Sequence, residues 1–453
     1  MNDLSLTVPP LAAALIAENF RAGTDGLEIG GLPVRSLVSR YGSPLYLYDA
    51  AILRRRYRAL AATLEGFASV YFSIKANPNP GIARVLVEEG AGLEIASGAE
   101  FILARQAGCA PEHVLFAGPG KGREEIDLVL AAGIGEVHLE GFDDIALVGT
   151  RAAALGRIQP VSLRINPGAQ AQGGAMRMGG KPSAFGIDEE QMAEAVAALK
   201  QQPALKLTGI HLFAGTQILD AGVLLDQWRY GLELAARLAG LAGHALTSID
   251  LGGGLGIPYH AGDATLDLAA IRSGLPALRA ALEADPRLRE ARLLVEPGRW
   301  LAGPAGLYVG ALRAVKQSRG QRFLISDGGM HHHLAASGNL GQVIKRDYPI
   351  VAPDRLTAPL LADTQLVGPL CTPLDTLGRQ TALPELAAGD LVAVLQSGAY
   401  GLSASPVGFL SHPMPAEVLV ENGRSEVIRP AGTFQAPLVN ARGEGSFWAA
   451  AAE

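Results

Sequence analysis

Eight short runs rich in β-branched and aromatic residues recur through the first two-thirds of the chain, and their spacing restricts the fold more than any other feature. They are "VYFSIK" ending at Lys75, "GLEIA" around Glu94, "VLFAG" around Phe116, "EVHLE" near His138, "VSLRINP" at Arg164, "LTGIHLF" at His211, "SIDLGGG" at Asp250 and "LLVEPGR" at Glu296. Between them, segments such as "GIARVLVEEG", "GAEFILARQAG" and "EEIDLVLAAG" repeat apolar residues at three- and four-residue steps, the spacing of a helix with one buried face. Eight strands with interleaved helices predict a closed (β/α)8 barrel of the α/β class, similar to a TIM barrel. A doubly wound open sheet is the competing arrangement.

Beyond Glu296 the rhythm changes. "LYVGALRAVKQ", "RFLISDGG", "TQLVGPLC", "DLVAVLQSGAY" and "AEVLVENGRSEVIRP" read as successive strands, the last with an Asn-Gly hairpin turn. The expectation is a barrel over residues 44–305 and an all-β domain built from 1–43 plus 306–453. A chain of 453 residues accommodates both, and 49% hydrophobic against 18% charged residues describes a folded, core-rich protein. A net charge of -6 without a Lys/Arg-dense run argues against nucleic acid. The N-terminal apolar stretch has no basic residue before Arg21, so a signal peptide is not expected, and no uninterrupted apolar run suggests a membrane span. Two cysteines, Cys109 and Cys371, fit a reducing compartment, and a cytoplasmic location is expected.

Barrels of this kind carry their chemistry at the C-terminal ends of the strands. Lys75, Glu94, Arg164, His211, Gly252 to Gly254, and Glu296 with Arg299 all fall there. A lone lysine at a strand end usually reaches for solvent; a ring of charged neighbours changes that balance. The glycines of "DLGGGLGIPY" match neither a dinucleotide fingerprint nor a Walker loop. Three glycines after the seventh strand suit either a phosphate site, where bare N–H groups close on an anion, or a tight turn. The triplet His331 to His333 is discounted as a metal site, because adjacent side chains on a strand diverge. Cys371, in "GPLCTPLD", has turn residues on both sides, a more exposed setting than a core cysteine has.

Taken together, "FSIKAN", "LEIASGAE", "RINP", "GTQ", "LGGGLGIPY", "EPGR", "GPLCTPLD" and "SGAYG" resemble the fold-type III pyridoxal-phosphate decarboxylases, relatives of alanine racemase that include the diaminopimelate and ornithine decarboxylases. The likeness runs from about Pro44 to Leu419. It implies that Lys75 carries pyridoxal 5'-phosphate covalently, with Glu94, Arg164 and His211 beside it. It further implies that Gly252, Gly253, Gly254, Thr216 and Tyr400 hold the phosphate. Glu296 would keep the pyridine nitrogen protonated, where racemases of this fold place arginine; that favours decarboxylation. A tucked-in Lys75 amine would be more easily deprotonated. Arg299, Thr372 and Asp375 fall at the substrate, and Cys371 would come from a partner subunit as the proton donor. A homodimer with shared sites is implied.

Two departures stand out. Where familiar members stack a histidine on the cofactor ring, this chain has Phe213, and where they follow the cysteine with an acid, it has Thr372. Without that acid, a distal substrate ammonium loses its charge partner. "MRMGGKPSAFGI", "HLFAGTQ", "DGGMHHH" and "SGAYGLSASPVGFLSHPMP" are similar to two less familiar branches, the butirosin-pathway glutamyl-carrier-protein decarboxylase and the exosortase-associated decarboxylases. The expected activity is α-decarboxylation of a modified or carrier-tethered amino acid. Diaminopimelate decarboxylation is the alternative within the class. A regulatory protein that binds the cofactor without turnover is the alternative outside it; retention of Lys75, Glu296 and Cys371 together speaks against that.

Overall fold

The computed structural model describes residues 6–168, 176–177, 182–213, 215–342 and 344–433. The chain divides into two compact units. One runs from Arg54 to Pro258 and Ala264 to Leu301. The other comprises the residues up to Leu53, Tyr259–Asp263, and those from Ala302 onward.

The first unit is the barrel. Its strands are β1 (Ala68–Ser73), β2 (Gly92–Ile95), β3 (Val114–Phe116), β4 (Glu136–Leu139), β5 (Gln159–Asn166), β6 (Leu205–Leu212), β7 (Ser248–Asp250) and β8 (Arg292–Val295). Each pairs in parallel with the next. Val295 of β8 aligns with Val70 of β1 and closes the ring, which excludes the open sheet. Closure removes every exposed edge.

The helices fall where the periodicity puts them: "GIARVLVEEG" on Pro80–Glu88, "GAEFILARQAG" on Gly98–Gln106 and "EEIDLVLAAG" on Arg123–Ala132. The turn residues behind Lys75 have a local purpose. Asn79 caps the next helix by accepting the Gly81 N–H at 2.9 Å, and Pro80 occupies its first turn. β1 therefore stops abruptly at the barrel mouth, and a helix begins five residues after the lysine.

The β-rich unit is built on a sheet ordered Thr376–Pro384, Leu360–Val367, Gln321–Ser326, Gly306–Ser318, Leu45–Asp49, Ala416–Glu421 and Arg424–Arg429. Leu391–Val394 also pairs with Gly306–Ser318. Leu45–Asp49, assigned from sequence to the barrel side of residue 44, lies in this sheet, bonded to strands more than 250 residues further along the chain. The Asn-Gly hairpin forms with Asn422 and Gly423 both at positive φ (50° and 75°), the geometry of a type I′ turn. The N-terminal apolar stretch becomes the helix Pro10–Asn19, whose Ala12, Leu15 and Ile16 join the core of this unit with Leu47, Val309 and Val418. No helix among the described residues is long and apolar enough to cross a membrane.

Candidate active site

Lys75 lies two residues past the end of β1, in the 3-10 turn Ile74–Ala76. Its neighbours Ile74 and Ala76 are fully buried and pin the turn, so the lysine between them projects from the mouth. Its Nζ lies 3.2 Å from both carboxylate oxygens of Glu94 on β2. The Ser73 hydroxyl also donates to Glu94. The expectation of a tucked-in amine is corrected: the Lys75 side chain is 41% exposed and held by a buried carboxylate rather than sheltered by apolar walls.

The Phe213 ring centroid is 5.7 Å from Lys75 Nζ and 5.9 Å from the Arg164 guanidinium carbon, so an aromatic face lies between two cations. Arg164 of β5 donates to Glu140 Oε1 at 2.7 Å, and the Gly118 N–H donates to the same oxygen. That buried pair fixes the guanidinium beside the ring.

Across the barrel, Glu296 follows β8 and is buried. Its Oε2 lies 3.3 Å from His211 Nε2, while its Oε1 meets no donor among the described residues. The glycine turn after β7 comes close to it. A Cβ on Gly253 would stand 2.5 Å from the Glu296 carbonyl oxygen and 3.7 Å from the Phe213 ring, so only glycine fits. Gly252 and Gly254 adopt φ of 70° and 100°. Thr216 pairs with Met176 across a two-residue ladder beside this turn; residues 178–181 of the "MRMGGKPSAFGI" stretch lie outside the described residues. Arg299 opens the short helix Arg299–Ala302 that follows.

Beneath these groups lies a set that sequence reasoning missed. Glu136 and His138 of β4 and Asp250 of β7 are buried in the barrel. His138 Nε2 lies 3.4 Å from Glu136 and 4.0 Å from Asp250, and its ring lies 4.3 Å from that of His211. Burial, then the neighbouring His138 and Arg164, push the His211 pKa well down. Burial, then Glu296, push the Asp250 pKa well up. Burial works against Glu136 ionising, yet hydrogen bonding to His138 and Ser162 holds its pKa below the ordinary value. The signal was present in "EVHLE": Glu136, His138 and Glu140 alternate with Val137 and Leu139, so the three polar side chains share one face of the strand. His138, His211, Asp250 and Glu296 present ligand-type atoms within 4.8 Å of one another, the one such set among the described residues.

The remaining expected residues belong to the β-rich unit. Cys371 is exposed, in a turn, whereas Cys109 is buried and its thiol is pushed up to about 11 by that burial. The Thr372 hydroxyl accepts the Leu374 N–H at 3.3 Å. Asp375, expected at the substrate, has a structural task on this turn. Its carboxylate is buried and accepts the Met330 and Leu370 N–H groups at 2.6 and 2.9 Å, so it braces the cysteine turn. Tyr400 is half-buried with φ of 53°. Two of the three histidines are tied into the β-rich unit, His332 to the Tyr308 hydroxyl at 3.2 Å and His333 to the Ser397 hydroxyl at 3.0 Å, while the His331 ring lies 3.7 Å from that of His332.

Comparison with known proteins matches residues 50–303 to the family described as "Pyridoxal-dependent decarboxylase, pyridoxal binding domain". The chain belongs to this family and is a pyridoxal-phosphate-dependent carboxy-lyase. It is 37% identical to the L-glutamyl-[BtrI acyl-carrier protein] decarboxylase of Niallia circulans, over 88% of this chain and 94% of that one. It is 31% identical to the diaminopimelate decarboxylase of Zymomonas mobilis, over 92% and 96%. The crystal structure of the Helicobacter pylori diaminopimelate decarboxylase complexed with L-lysine superposes with a TM-score of 0.80 at 26% identity, covering 89% of this chain and 98% of that one.

The residues in place fit the cofactor. A primary amine stands at the barrel mouth over an aromatic face, a turn of three glycines follows the seventh strand where barrels commonly bind phosphate, and a buried carboxylate oxygen awaits a donor such as a pyridinium N–H.

Proposed function

We propose that this enzyme removes the α-carboxyl group of an amino acid that lacks a distal ammonium and is delivered on a carrier protein, with diaminopimelate decarboxylation as the competing reading. The observation that carries it is Thr372, a neutral side chain whose hydroxyl is engaged with its own turn, at the position where diamino-acid enzymes of this resemblance place an acid. The 37% identity to a decarboxylase acting on a glutamyl group held by an acyl-carrier protein supports the same reading. Diaminopimelate decarboxylases at 30 to 33% identity support the competitor.

Pyridoxal phosphate, when bound, supplies the ring that draws off the electron pair left at the α-carbon as carbon dioxide departs. Lys75 anchors it, with Glu94 steering the amine. Gly252 to Gly254, Thr216 and Tyr400 hold its phosphate, and the Glu296 carboxylate accepts the pyridine N–H. Phe213 packs against the ring face, and Arg164 and His211 border it. Arg299 and Thr372 meet the substrate. The Cys371 thiol, contributed by the second subunit of a homodimer, returns a proton to the α-carbon.

Mass spectrometry after incubation with L-glutamyl-acyl-carrier protein, free glutamate and diaminopimelate tests the substrate. Loss of one carboxyl from the carrier-bound species alone is expected; turnover of diaminopimelate alone overturns the reading. Thr372→Glu is expected to raise activity on diamino acids roughly tenfold, the scale of one charge-assisted hydrogen bond. An unaltered rate in a cofactor-loaded variant would place specificity elsewhere.

A further inference from the structure

Asp250 has no part in the roles assigned above, yet it lies in the barrel centre with no exposed surface. Its Oδ1 accepts the Gly252 N–H at 2.8 Å and so shapes the first glycine of the turn. Its Oδ2 is buried and meets no donor among the described residues, and the same holds for Glu296 Oε1. Two carboxyl groups within 4.8 Å of each other, each with an oxygen that nothing protonated reaches, cannot both be anions at such depth without a large cost. The other titratable groups facing Asp250 do not relieve this. Glu136 adds a further acid, Tyr71 and His138 are buried, and His138 stands 4.0 Å away, beyond hydrogen-bond range.

We propose that Asp250 is a protonated carboxylic acid that donates its hydrogen bond to Glu296. It thereby acts as a positioning residue, holding Glu296 as the single oriented anion that receives the ring nitrogen. A proton on Asp250 turns its orphaned oxygen into a donor and leaves one negative charge between the two carboxyl groups. The burial of Asp250 and its neighbour Glu296 raise its proton affinity in the direction this arrangement needs. A carboxylate has lone pairs enough to accept from Asp250 and from a pyridinium together. The inference rests on the placement of Glu296 against the ring nitrogen, and the test separates the two.

Asp250→Asn is the informative variant, because an amide copies a protonated acid: it keeps an oxygen for the Gly252 N–H and an N–H for Glu296. Cofactor affinity, measured by absorbance titration of full-length apoprotein, is expected to stay within about threefold of the parent for Asp250→Asn and to weaken about tenfold or more for Asp250→Leu. Equal losses in both variants would mean that Asp250 acts as an anion, and would overturn the proposal. Infrared spectra of the unmodified apoprotein at pH 8 supply an arm that needs no variant. A protonated-carboxyl band is expected, and its absence would overturn the assignment even if neither variant folds. For Glu296→Gln, weakened affinity with a shifted cofactor absorbance is expected. An unchanged spectrum there would remove the parent placement of Glu296 rather than the shared proton, which the infrared band reports separately.

Discussion

The barrel and the β-rich unit treat their polar residues in opposite ways. In the barrel, Glu94, Arg164, His211, Asp250 and Glu296 are buried, while Lys75 opens to solvent. In the β-rich unit, Cys371 stands exposed and Thr372 half-buried on a turn, and the buried work falls to Asp375, which braces that turn through two backbone N–H groups. The contrast teaches that burial marks preorganisation. The barrel supplies a rigid electrostatic frame for a cofactor, while the β-rich unit presents a thiol whose backbone is fixed and whose side chain is left accessible.

That division of labour can be broken or sharpened by four measurements. Lys75→Ala should abolish both the bound-cofactor absorbance and carbon dioxide release, to background, because one amine serves both. Cys371→Ala should leave cofactor absorbance intact while slowing turnover by about 10²–10⁴, the usual contribution of a positioned general acid. Cofactor loss in that variant would erase the proposed split between the two regions.

Glu140→Ala should cost the barrel about 3 kcal/mol in denaturant unfolding, since it strands the guanidinium of Arg164 without its buried partner. A loss below about 1 kcal/mol would mean that water or another acid replaces Glu140.

The last measurement concerns acid. His331, His332 and His333 are buried, and burial lowers their pKa values to about 4, 2 and 3. An unfolded histidine takes up its proton below about pH 6.5 while these stay neutral. The unfolded state therefore binds more protons as pH falls, and stability drops. Between pH 6.5 and 5, above the ordinary carboxylate range, each should cost up to about 2 kcal/mol. In the barrel the raised Asp250 and the lowered His211 act in opposite directions. Hydrogen exchange should therefore find the β-rich strands loosening first on acidification, and His333→Gln should flatten that pH slope by about one proton. Equal loosening of both units would refute the contrast.

Much of this was legible without coordinates. Local periodicity announced eight strands and their helices, because a strand or helix reports its buried face in the residues immediately beside it. Lys75, Arg164, Gly253 and Glu296 could be marked because barrel chemistry collects where strands end. The bracing task of Asp375 was not legible, because only the N–H groups of Leu370 and of distant Met330 reveal it. Leu45–Asp49 was placed on the wrong side of a boundary because its partners, Gly306–Ser318 and Ala416–Glu421, are remote in sequence.

By itself, then, the order of residues determined the secondary elements, the barrel they close into and the chemistry at its mouth, all of which depend on patterns within a few tens of residues. Tertiary structure alone decided that Glu136, His138 and Asp250 lie beneath His211 and Glu296. It also decided which carboxylate oxygens find a donor. Both depend on distances between strands that closure of the ring brings together, and no stretch of sequence encodes such a distance locally.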